Sequence, residues 1–326
     1  MNRRQVVTAL VGVASACQPV VAAAQTPSRV VRLGMVSQNP RTVTFTAAFE
    51  RRLRELGYAE GRNLVIEFID THGQVDRIED GMKEVVRRNV DILLAGGPEL
   101  SLKSALAATK ALPIVMIAID YDPFALGYVR SLARPGGNVT GLYFQQTELA
   151  PKRVELIKEL MPSLNAATVF WDRFSADQWK ATEAAAPASR VRLAGIDLED
   201  QPYDYEQAIV RVPQENRSAV LVMQSPVFFR DRLRIAQFAL KRKVATIFAL
   251  REFTDAGGLI SYGANISALY VRAAEMVDRI VQGSPPSDLP IEQPTRFELV
   301  VNIKTAKALG LEIPPTLLAR ADKVIE

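Results

Sequence analysis

Thiols and imidazoles are nearly missing from this chain, whose 326 residues hold one cysteine, Cys17, and one histidine, His72. Zinc centres built from cysteine and histidine clusters, and cysteine–histidine nucleophile pairs, are thereby excluded. No internal disulfide can form in any compartment. His72 stands in the polar stretch DTHGQVDR with no serine pattern beside it, so it reads as a loop imidazole and not as a general base. The sequence also lacks G-x-S-x-G, G-x-x-x-x-G-K-[ST] and any G-x-G-x-x-G after a strand, the signatures of acyl transfer, nucleotide triphosphate binding and dinucleotide binding.

Charge of one sign is scarce too. The formal net charge is +4, and lysine and arginine alternate with aspartate and glutamate along the helical stretches, as on solvated faces. Nucleic acid therefore has no electrostatic footprint here. The longest apolar segment near the start, Val6 to Ala16, is too short to span a bilayer. Arg3 and Arg4 precede it and Ala22-Ala23-Ala24 follow it, which reads as a secretory signal peptide over residues 1–24, cleaved near Ala24, with the paired arginines hinting at twin-arginine export. Cleavage there removes Cys17 and leaves 38 basic against 36 acidic side chains, a net charge of +2.

What the chain does have is a regular rhythm. From Val30 onward, apolar runs of strand length (VVRLGMVS, NLVIEFI, DILLAG, IVMIAI, NVTGLYF) alternate with stripes at helical spacing, such as Phe45, Phe49, Leu53 and Leu56, or Ile78, Met82, Val85 and Val86. A short helix is expected after IVMIAI, ending at Arg134-Pro135-Gly136-Gly137. The rhythm restarts at a helix over 147–161 and runs through ATVFWD, VRLAGIDL, AVLVMQS, VATIFAL and GGLISYG, with one helix expected over 230–242. A long helix from Ile266, a proline-rich connector and a strand FELVVN follow. This pattern predicts an α/β fold of two Rossmann-like lobes with parallel sheets.

In open parallel sheets, ligands sit beyond the carboxyl ends of the strands, which turns the loops there into candidate sites. In the first lobe these are Ser37 and Gln38, the turn Gly97-Pro98-Glu99, and Asp120-Tyr121-Asp122; in the second they are Trp171 and the turn Gln224-Ser225-Pro226. Helix N-termini after Gly97 and near Ser225 can cradle a carboxylate. Asp120, Asp122 or Glu99 can take an ammonium, and Tyr121, Tyr143 or Trp171 can cover an aromatic portion. Each has a plainer role open to it: caps for the aspartates, sheet-edge packing for Tyr121 and Trp171, and hinge packing for Tyr262.

The phrases FERRLRELGYAEGRNLVIEFIDTHGQVDRI, VDILLAGGPELSLKSALAATKALPIVM, SLARPGGNVTGL and REFTDAGGLISYGANI occur in an order and spacing that resembles a known family. It is that of the substrate-binding proteins of ABC transporters, in the branch related to tryptophan-binding lipoproteins. The resemblance implies a type I periplasmic binding fold with a three-segment hinge. Carried onto this chain, one lobe comprises 29–142 plus 264–291 and the other 143–263 plus 292–326. It further implies a monomeric periplasmic receptor without a cofactor, which closes on an amino acid or aromatic carboxylate and delivers it to an inner-membrane permease. This chain departs from many relatives at IDYDP, WDRFSADQW and Ser225-Pro226. A periplasmic sensor for a signalling receptor is a second reading. An α/β enzyme such as an amino-acid racemase lacks the usual thiols, and a cytoplasmic repressor core conflicts with the expected signal peptide.

Overall fold

In the computed structural model, residues 29–213 and 218–326 are described; the expected signal peptide and Cys17 lie outside them. Two sheets organise the chain. The first is built from β1 (Val31–Ser37), β2 (Leu64–Asp70), β3 (Ile92–Gly97), β4 (Ile114–Ile119) and β5 (Val139–Phe144), all parallel in the order β2-β1-β3-β4-β5. Its faces are covered by α1 (Thr44–Glu55), α2 (Ile78–Arg87) and α3 (Glu99–Ala108). Burial on both faces explains why these strands read as continuous apolar runs, and Phe45, Phe49 and Leu53 of the helical stripe are all buried.

The second sheet is larger and mixed. It takes β6 (Ala166–Trp171), β7 (Arg192–Asp197), β8 (Ala219–Val222), β9 (Ala245–Phe248), β10 (Ile260–Ala264), β11 (Phe297–Asn302) and β12 (Lys323–Ile325) in the order β12-β11-β10-β9-β8-β6-β7, with β10 and β11 antiparallel. Helices α4 (Ala150–Leu160), α5 (Ala176–Ser189), α6 (Tyr205–Val210), α7 (Pro226–Arg230), α8 (Arg232–Lys241) and α9 (Arg251–Asp255) punctuate its strands. After β10, helix α10 (Ile266–Val281) returns to the first sheet, packing on α1, β4 and β5; α11 (Ile303–Leu309) and α12 (Pro315–Ala319) then follow β11.

Two expectations need correction. Residues 120–138 form turns and no helix: Asp122 holds the N–H groups of Phe124 and Ala125, and Gly127 then turns at φ +75°, which stops propagation after one turn. The helix expected over 230–242 is α8, but it begins only at Arg232, where Asp231 separates it from the short preceding α7.

The chain passes between the sheets after β5, after β10 and before β11. These strands are tied together. Tyr143 and Gly141 pair with Glu292 through backbone bonds of 3.0 Å each. Buried Arg153 on α4 donates from Nε to the Tyr262 carbonyl at 2.7 Å and from its other end to Gln146 Oε1. Among the described residues no helix is long and apolar enough to cross a membrane.

Candidate ligand site between the lobes

The carboxyl ends of both sheets face one small cavity of about 60 Å³. From the first lobe come Ser37, Gln38 and Asn39 after β1, Gly96, Gly97 and Pro98 at the end of β3, Ile119 of β4, and Phe45 at the first turn of α1. The second lobe supplies Gln224 and Pro226 after β8, Phe229 of α7 and Leu250 after β9, while Ile266 and Tyr270 come from α10. Phe45 is the centre of an aromatic group, 4.6 Å from Tyr270 and 5.5 Å from Phe229 between ring centroids. A larger groove of about 570 Å³ lies at the amino ends of β6, β7 and β8, the edge where parallel sheets do not place ligands.

The lining is largely apolar, and its polar part carries no charge. Apart from the phenol of Tyr270, held above its ordinary pKa by burial, no ionisable side chain lines the cavity. Three amide oxygens, Gln38 Oε1, Asn39 Oδ1 and Gln224 Oε1, are buried with no hydrogen-bond partner. Such groups are costly to leave unmet, so a site that buries three of them calls for a donor.

Six of the expected residues line this cavity: Ser37, Gln38, Gly97, Pro98, Gln224 and Pro226. The others do not, for identifiable reasons. Glu99 accepts a short hydrogen bond from the Tyr128 hydroxyl. Asp122 caps the turn described above. Tyr121 and Tyr143 are buried in the first lobe's own core. Trp171 turns away to pack with Trp179 against Gly195 on β7. Ser225 caps α7 through its hydroxyl, which accepts from Val227 N–H at 3.1 Å. Tyr262 packs on Phe297 across the β10–β11 pair, with ring centroids 6.3 Å apart.

Asp120 is the informative case. It sits at φ +65°, a conformation aspartate tolerates better than most residues. One carboxylate oxygen accepts from Gln146 N–H at 2.6 Å, on the segment joining the lobes; the other accepts from Gln178 Nε2 at 3.0 Å, on α5 of the second lobe. Burial pushes its pKa up to about 7, against the opposing pull of the Gln146 N–H and of Arg153, whose own guanidinium burial lowers to about 10. Both oxygens are engaged by protein.

A second aspartate, Asp172, holds the wall from behind. Its oxygens accept from Phe174 N–H at 3.0 Å, Ser175 Oγ at 2.9 Å, Tyr203 Oη at 3.2 Å and, by a short bond, Ser225 Oγ. This fastens the starts of α5 and α7 to the end of β6.

Five parallel strands facing a mixed sheet, crossed three times by the chain around a shared cleft, define a type I periplasmic-binding architecture. The ABC transporter substrate binding protein family matches residues 35–325, and the chain belongs to that family. A tyrosine-binding protein of Clostridioides difficile (strain R20291) is 24% identical over 294 residues, covering 86% of this chain and 81% of the relative. Among solved structures, an ABC domain in complex with L-Trp from Streptococcus pneumonia is similar at a TM-score of 0.79 and 23% identity, over 91% of this chain and 100% of that one. A ligand-free, open substrate-binding protein with adhesive properties from Clostridium difficile is similar at 0.64 and 23%, over 91% and 99%.

Proposed function

We propose that this chain is the extracytoplasmic receptor of an ABC importer, and that it traps an aromatic amino acid or aromatic carboxylate by closing its lobes. The observation that carries the reading is the cavity itself, because both lobes contribute its walls and an aromatic cluster spans them. An aromatic ring inserts among Phe45, Phe229 and Tyr270. The ligand carboxylate lies at the N-terminus of α3, where the first N–H groups have no helical acceptor. Its ammonium or other donor meets Gln38, Asn39 and Gln224.

The size of the cavity supports a moving part. A cavity of about 150 Å³ is what holds benzene, and about 60 Å³ holds less. An aromatic ligand therefore enters only when the lobes separate, and the contacts it makes with both then favour closure.

The test is a thermal-shift and calorimetric screen of the chain from Gln25 onward against L-tyrosine, L-tryptophan, L-phenylalanine and aromatic carboxylates. At one hundred times its dissociation constant, a ligand that binds only the folded state adds about 2.7 kcal/mol, a rise of roughly 4 °C for a chain this long. A flat panel would remove the aromatic assignment.

A further inference from the structure

One side chain joins the first lobe to the ligand wall of the second. Gln178, buried on α5, accepts from the backbone N–H of Gln224 at 2.9 Å and donates to the Gln224 carbonyl at 2.8 Å, so it grips both backbone groups of a residue lining the cavity. The same Nε2 donates to Asp120 Oδ2 at 3.0 Å across the lobe boundary. The other oxygen of Asp120 accepts from the backbone N–H of Gln146 on the connecting segment, at 2.6 Å.

We infer that Asp120 and Gln178 form the latch of the closed state: their hydrogen bond exists when the lobes are together, and it transmits closure to the Gln224 wall without either side chain touching ligand. This rests on the hinge-closure reading above, and it gives Asp120 a positioning role in place of the ammonium-binding one. Away from the crossing segments, two further polar contacts over the cleft are looser. Thr44 Oγ1 meets Glu252 at 3.5 Å in an exposed position, and the Arg230 guanidinium lies against Gly73 at the rim. Among these contacts, the Asp120–Gln178 bond is the one whose donor residue is fully buried, where low local dielectric strengthens a hydrogen bond.

The latch can be read without knowing the ligand. The sole cysteine lies in residues 1–24, so in the chain from Gln25 the substitutions Asp76→Cys and Gln237→Cys, both at exposed positions on opposite sides of the cleft, place the only two thiols for spin labels. Distances between them, measured by pulsed electron resonance on ligand-free protein, report the closed fraction directly. Asp120→Asn keeps an acceptor for the Gln146 N–H but sets one NH2 group against another at Gln178. Gln178→Glu keeps the acceptor for Gln224 N–H but sets carboxylate against carboxylate.

Each single change is expected to move the distribution to longer distances and to weaken binding of L-tyrosine or L-tryptophan about ten- to hundredfold. The pair Asp120→Asn with Gln178→Glu, which exchanges donor and acceptor, is expected to recover part of the short distance. A side chain that merely holds its own lobe together would not show that recovery. Unchanged distances in the single variants, or a double variant no more closed than the sum of the singles, would overturn the latch. If neither amino acid binds the unsubstituted protein, the ligand assignment fails alone, since the ligand-free distances still decide the latch.

Discussion

The ring of Phe45, in the first lobe, lies 5.5 Å from the ring of Phe229 in the second, tilted by 51°. In the proposed site an aromatic ligand would lie against these two faces. Replacing Phe45 by leucine keeps apolar volume and removes one face. We expect affinity for L-tyrosine or L-tryptophan to fall about five- to tenfold, the size of an aromatic pair interaction, with little change in the melting temperature of ligand-free protein. Calorimetric titration measures the first quantity and a thermal scan the second; an unchanged dissociation constant would place the ring elsewhere.

Gly96 owes its identity to Tyr270. Its backbone is ordinary, yet an added Cβ would stand 2.6 Å from the Tyr270 hydroxyl oxygen. Gly96→Ala should displace that ring and weaken aromatic ligands at least tenfold. Removing the hydroxyl leaves 3.4 Å to the ring carbon, so Gly96→Ala combined with Tyr270→Phe should recover most of the loss. If the double variant binds no better than Gly96→Ala alone, the steric account is wrong.

Both tryptophans of the chain, Trp171 and Trp179, meet over Gly195 on the second sheet and stand outside the cavity. Titration with L-tyrosine should accordingly leave the tryptophan emission maximum where it is. Gly195→Ala brings a Cβ to 2.9 Å from each indole, so it should lower stability by about 1–3 kcal/mol, as overpacking does, while ligand affinity stays within a factor of two or so. An emission shift on binding would put an indole back in the site.

Asp120 also sets a pH dependence. In the folded protein it holds its proton to about pH 7, whereas an unfolded aspartate releases it near pH 3.9. Between roughly pH 4 and 7 the folded state therefore binds more protons, and this group's contribution makes stability fall as pH rises, levelling off above pH 7. Burial raises Asp172, Glu252 and Asp197 in the same direction. The comparison that isolates Asp120 is the urea midpoint at pH 5 and pH 7.5 in the original chain and in Asp120→Asn. The variant should show the smaller drop, and equal drops would count against the shift.

Gly141 shows how tightly β4 and β5 are paired. It lies at φ +141°, and a Cβ there would sit 2.0 Å from the Met116 carbonyl oxygen. Gly141→Ala must open the β4–β5 pairing, so a loss of about 3 kcal/mol or more is expected in chemical denaturation, with L-tyrosine binding lost alongside. A variant of native stability would mean that the strand pair yields easily.

How far the sequence carried the reading depends on what each signal measures. Strand-length apolar runs and helical stripes measure burial, and they located both lobes and the strand ends that face each other. They do not say which face meets what. Phe45 belongs to the same stripe as Phe49 and Leu53, and only its place in the first turn of α1 sends it toward the cleft. Tyr270 is more than two hundred residues from Phe45 in sequence, and nothing local marks its return to the first lobe. Trp171 misled in the opposite way, because a strand-end position fixes height along the sheet but not the side of it. Asp120 was found by position, yet its role rests on Gln178, which lies in an unremarkable stretch of α5.

Helix α10 has a consequence for how the protein is made. It emerges after β10, yet its buried face, with Ala273, Ala274 and Val277, packs on α1, β4 and β5 of the first lobe. A ribosome that has released residues 29–144 has released every strand of that lobe and still cannot complete its core. Contacts that distant in sequence slow folding and keep apolar surface bare in the interim. A chain stopped at Ala264 would hold parts of two sheets and neither lobe finished, since the first still lacks α10 and the second still lacks β11 and β12.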